Sequence, residues 1–107
     1  MSEFIEYLPD VFAEFGPIHT RKMFGGHGVF YDGLMIGLVA RDNLYLKADS
    51  QSAVRFTAND LAQFQYPKGD TMVGMSYYLA PSEALDDPSE MREWAQLAYE
   101  AALRARK

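Results

Sequence analysis

The side chains with most chemical potential in this chain of 107 residues gather near Arg21-Lys22-Met23-Phe24-Gly25-Gly26-His27-Gly28-Val29-Phe30. Two cations lead into a glycine cluster that carries one of the two histidines. Between glycines the His27 imidazole has little shielding from its neighbours. Catalysis also needs a partner within hydrogen-bond reach, and none stands out in the sequence. His19 lies before the turn, without HExxH or related ligand spacing. The expectation is a loop histidine bonded to backbone, with no metal and no catalytic role.

A phosphate-binding glycine loop works because a helix follows it and aims N–H groups at the anion. Here Val29-Phe30-Tyr31 follows, which reads as a strand, and neither GxGxxG nor GKS/GKT is present. A small-ligand or nucleotide site along Arg21 to Gly28 is kept as the alternative function. The preferred reading makes the glycines a bulge or tight turn between two strands. Arg21 and Lys22 then point to opposite faces of the sheet. Either they are solvated or ion-paired, or one is a docking contact.

Gly74-Met75-Ser76-Tyr77-Tyr78 resembles the GxSxG elbow but has Tyr78 in place of the last glycine, inside an expected strand. Tyr77 and Tyr78 must face opposite ways, one into the core and one outward. The carboxylates Glu83, Asp86 and Asp87 serve helix entry better than acid–base chemistry. No nucleophile, base and orienting group come together, so catalytic residues, metal ligands and cofactors are all expected to be none.

The elements that position these residues read as α+β. Residues 3–15 carry helical spacing, with Ser2 as cap and Pro9 as an awkward interior residue. Strands are expected over 18–24, 28–31, 34–40 and 44–47. The Asp32-Gly33 pair suits a type I′ hairpin. Leu34, Ile36, Leu38 and Ala40 are expected on one face. A short helix is expected over 49–58, capped by Asp49 or Ser50, with Val54 buried. Phe64, Tyr66 and Pro67-Lys68-Gly69 read as an irregular bridge, and 71–79 as the last strand, with Met75, Tyr77 and Leu79 on one face. Asp87, Pro88 and Glu90 open a final helix as cap, first helical residue and capping-box partner. Met91, Trp94, Ala95, Ala98, Ala101 and Ala102 form its apolar stripe, and Arg104, Arg106 and Lys107 suit its C-terminal end. The expected fold is one domain over 1–107, an antiparallel sheet of about five strands with helices packed on one face.

Composition narrows the function classes. Fifteen acidic residues against ten basic give a net charge of -5, so a whole-surface grip on DNA is not expected. Cysteine is absent, which removes disulfides, thiolate sites and cysteine nucleophiles. No signal peptide or membrane span is legible, and a cytoplasmic location is expected.

Taken in order, RKMFGGHGVF, YDGLMIGLV, LYLKAD, MSYYLAP and LDDPSEMREWAQLAYEAA resemble the N-terminal domain of the TfoX/Sxy competence regulators, over residues 4–103. The resemblance implies a fold similar to the secretion-chaperone-like group. It also implies a non-enzymatic co-activator role beside the cAMP receptor protein at promoters of DNA-uptake genes. It brings no catalytic residues. The matching positions it singles out are Arg21, Lys22, Phe24, Gly25, Gly26, Lys47, Tyr77 and Tyr78, and His27 lies among them. Longer members carry a second, C-terminal helical domain, which is expected to be absent here. The expected partner is a protein, in particular a transcription factor. Direct DNA binding and membrane contact are not expected, and a sheet edge or helix face leaves room for a homodimer.

Overall fold

The computed structural model describes residues 3–23 and 25–106. The expected roles of Ser2, Phe24 and Lys107 therefore lie outside the described residues. The elements run α1 (Glu3–Val11), β1 (His19–Met23), β2 (Gly26–Tyr31), β3 (Leu34–Ala40), β4 (Asn43–Lys47), α2 (Ala53–Thr57), β5 (Gln63–Lys68), β6 (Thr71–Leu79), α3 (Ser82–Asp86) and α4 (Pro88–Ala105). The strands form one antiparallel sheet of order β1-β2-β3-β4-β6-β5. β1 to β4 are a meander. The chain then passes through α2 and returns as a hairpin that lays β6 beside β4.

Two tight turns hold the meander. Asp32 and Gly33 have φ of 54° and 77°, both positive as a type I′ turn demands. Arg41 and Asp42 repeat the form at 54° and 61°, and the Asn43 side-chain amide donates to the Arg41 carbonyl.

Helices cover one sheet face. Ile5, Leu8 and Val11 of α1 and Met91, Trp94, Ala95, Ala98 and Ala102 of α4 join Val29, Ile36, Val39, Leu44, Leu46 and Phe56 in one core. Phe56 stacks on Tyr78 at 5.4 Å between centroids and tilts against Trp94 at 5.0 Å. Polar ties pin the helices to the sheet's turns and to one another. Tyr99 donates to Asp32 at 2.8 Å, and the Tyr7 hydroxyl donates to the Leu85 carbonyl at 2.7 Å. Arg104 grips Asp49 through Nε and Nη2. That guanidinium, helped by the Ser52 and Gln51 N–H groups, holds the Asp49 carboxyl well below the usual carboxylate range.

Several expectations are corrected. The first helix ends at Val11, and residues 12–15 continue as turns in which Phe15 and Gly16 N–H both donate to the Phe12 carbonyl. Pro9 is accommodated inside the helix. The stretch around Phe64 is a sixth strand, β5, whose Pro67 is tolerated because the strand lies at the sheet edge. α2 is shorter than expected: Asp49 organises a preceding turn by accepting from Gln51 and Ser52 N–H, and helix proper starts at Ala53. Val54 is exposed, and Phe56 is the residue α2 buries. In β3, Val29 pairs with Gly37 while Phe30 pairs with Met35, so Ile36 is an extra residue and the alternation shifts. Leu34, Ile36 and Val39 consequently pack with the core, while Leu38 and Ala40 fall on the other face. Asp87 caps α4 by accepting from Ser89 N–H, as expected. Glu90 does not close a capping box: its carboxylate accepts from Trp94 Nε1.

Candidate functional site

The segment from Arg21 to Phe30 is a β-hairpin. Met23 pairs with Gly26, and Gly25 sits at the turn with φ 77°. Gly26 is needed for close approach, because a Cβ there would run into the Val39 carbonyl oxygen. β2 lies between β1 and β3, so its main-chain donors serve two ladders instead of converging on an anion. Of the bulge or tight turn expected for the glycine cluster, the tight turn is found, and a bulge lies between β2 and β3 at the Val29/Phe30 step.

His27 is a strand residue, not a loop residue. It is half-buried in β2, opposite Lys22 and Val39. Among the described residues, no group of three or more His, Asp or Glu side chains is placed to hold a metal ion.

Arg21 and Lys22 diverge, as adjacent strand residues must. Lys22 shares the side of His27 and Val39, and Arg21 projects from the helix-free face. The Arg21 guanidinium lies 5.6 Å from the centre of the Phe30 ring, and His19 stacks on the same ring at 5.5 Å and 14°. A second cation–ring pair repeats this across β4 and β6, with Lys47 Nζ 5.2 Å from the Tyr77 ring centre. Tyr78 faces the core and Tyr77 the helix-free face, as Lys47↔Tyr77 and Leu46↔Tyr78 pairing requires. Yet Tyr77 is only 7% exposed, and this burial raises its pKa.

The helix-free face is therefore a second apolar layer. The pairing register places Met23, Phe30, Met35, Leu38, Tyr45, Phe64, Tyr77 and Leu79 on it. Leu38 is 7% exposed although no helix covers it, because neighbouring side chains close over it. Gly28 makes room for that packing. A Cβ there would meet Phe30 Cε1 at 2.9 Å, Met23 Sδ at 3.2 Å and Met35 Cε at 3.3 Å.

The face brings together Arg21, Lys47 and Tyr77 among the residues singled out from sequence. Lys22, His27 and Tyr78 fall on the opposite side, Gly25 and Gly26 shape the backbone, and Phe24 lies outside the described residues. Phe30, Met35, Leu38, Tyr45 and Phe64 were not singled out. Their signal is that the strands are apolar at successive positions, which a sheet covered on one side does not need. On the helix side, a cleft of about 290 Å³ is lined by Glu83, Glu90 and Trp94 among others, and none of residues 21–28 contributes to it.

Fold and face define the class: a single-sheet α+β domain with helices on one side and an aromatic, cation-bearing layer on the other. The chain belongs to the family of the TfoX N-terminal domain, whose model matches residues 10–102. It is also similar to "DNA transformation protein TfoX1" of Aliivibrio fischeri (strain ATCC 700601 / ES114), at 28% identity over 78 residues. That match covers 73% of this chain and 37% of the relative, so the chain aligns with little more than a third of its length. Among the described residues, no helix is long and apolar enough to cross a membrane.

Proposed function

We propose that this chain is a non-enzymatic regulatory module that binds a protein partner through the helix-free sheet face. The observation that carries the reading is the layer of Met23, Phe30, Met35 and Leu38 that no helix covers. Apolar and aromatic residues with arginine nearby are what protein interfaces enrich. Family membership supports a role in control of DNA transformation, and the proposed partner is a transcription factor of the cAMP receptor protein type. Regulation then consists of holding that factor in a productive arrangement, with no bond made or broken by this chain.

Site-specific photocross-linking tests the proposal. A benzophenone side chain is placed at Met35 on the helix-free face or at Glu93, exposed on α4. In the native host, the Met35 probe is expected to give a discrete adduct with a transcription factor, and the Glu93 probe none. Adducts from Glu93 alone, or the same adducts from both, contradict the proposed surface.

A further inference from the structure

The charge of this molecule is segregated by element. All fifteen Asp and Glu residues lie in helices, turns and loops, and none lies within a strand. The strands carry Arg21, Lys22, Lys47 and Lys68. Lys22 lies on the opposite side, so the uncovered face carries Arg21 and Lys47, on a protein of net charge -5. Arg21, on the edge strand β1, and Lys47, on the inner strand β4, lie over rings without a carboxylate partner among the described residues, where the ion pair is Arg104–Asp49.

We infer that the face takes an acidic, apolar segment of a partner protein, with partner carboxylates pairing Arg21 and Lys47 while its apolar side chains lie against Met23, Met35 and Phe30. This rests on the protein-interaction reading above and names the chemistry of the occupant. A guanidinium has five N–H donors and an ammonium three, and charge-assisted hydrogen bonds to carboxylate suit both. A second copy docked face to face would set cation against cation across a two-fold axis. A single-stranded nucleic acid needs bare ring faces on which bases stack. Here Phe30 already carries His19 and Arg21, and Tyr77 is covered by Lys47 and buried. The observations therefore favour the acidic protein segment.

The test is a fluorescence-anisotropy titration of the whole chain at 50 mM and 300 mM salt. Three probes are used: a labelled twelve-residue peptide alternating Glu with Leu and Phe, its Gln-for-Glu counterpart, and a twelve-residue oligothymidine. The Glu peptide is expected to bind, to weaken with salt, and to outbind the Gln peptide. Arg21→Gln with Lys47→Gln is expected to weaken it about five- to tenfold, while Arg21→Lys with Lys47→Arg retains it. Circular dichroism of each variant checks that the sheet is intact. Equal binding of the Gln peptide, binding of the oligonucleotide alone, or no binding overturns the inference. The two readings fail separately. A Met35 adduct that excess Glu peptide does not compete away sinks the acidic-segment inference alone. Peptide binding without any Met35 adduct in the host sinks the regulatory-module reading alone.

Discussion

Gly26 and Gly28 stand two residues apart in one strand, and their substitution should have very different costs. Gly26→Ala places a Cβ against the Val39 carbonyl oxygen, a backbone atom that side-chain rotation cannot move. β2 and β3 must separate there, which weakens about one ladder hydrogen bond, ~1 kcal/mol, and adds overpacking strain of ~1–3 kcal/mol. The expected loss is about 2–4 kcal/mol. For a domain of this size, that lowers Tm by roughly 10–25 °C. At Gly28 the new Cβ meets only the far ends of Phe30, Met23 and Met35, which can shift. The expected loss is under about 1 kcal/mol, partly offset by the smaller unfolded-state entropy of Ala. Urea and thermal melts followed by circular dichroism read both values. If Gly28→Ala costs as much as Gly26→Ala, or if Gly26→Ala melts like the parent, the close-approach argument is wrong.

Other predictions follow from packing and charge. Phe56→Ala empties the contact between α2, Tyr78 and Trp94 and should cost ~3–5 kcal/mol in denaturant melts; a loss under ~1 kcal/mol would mean that α2 is not anchored there. Asp49 has a folded pKa below its unfolded value, so its contribution is present above the ordinary carboxylate pKa and is lost as pH falls through the folded one. The stability gap between the parent and Asp49→Asn should therefore narrow as pH drops below about 4; a gap constant down to pH 2 would contradict the Arg104 clamp. Tyr99 is raised by its hydrogen bond to Asp32, and Tyr77 by burial, so both should ionise above the ordinary ~10 in an ultraviolet titration. Stability linked to them is present below that value and lost as pH rises through their folded pKa. Asp32→Asn should return Tyr99 toward the ordinary value and leave Tyr77 unchanged.

The elements written in short-range chemistry were legible. Asp32-Gly33 announced its hairpin, and Asp87-Pro88 announced the start of α4. Those that depend on tertiary context were not. The run Leu34-Met35-Ile36-Gly37-Leu38-Val39 is apolar throughout, so no alternation marks the bulge at Ile36, and Leu38 was put on the wrong face. β5 hid behind Pro67 and its glutamines, which suit a strand only because it is an edge. His27 looked like a loop residue because glycines flank it, yet Gly26 and Gly28 are there for close packing within a strand. For the site, opposite orientation of Arg21 and Lys22, and of Tyr77 and Tyr78, followed from strand geometry alone. Which of each pair faces the helices required the pairing register. The segregation of carboxylates out of the strands could have been read from the sequence once the strands were placed.

Methionine-methyl NMR tests the central claim most directly, because the methionines mark both layers. Met23 and Met35 lie on the helix-free face, and Met91 is fully buried on the sheet-facing side of α4. The chain is titrated with the partner retrieved through position 35. The account predicts that the Met23 and Met35 methyl signals shift or broaden on binding while Met91 stays in place. Saturation with partner that moves Met91, or leaves Met23 and Met35 untouched, would contradict it.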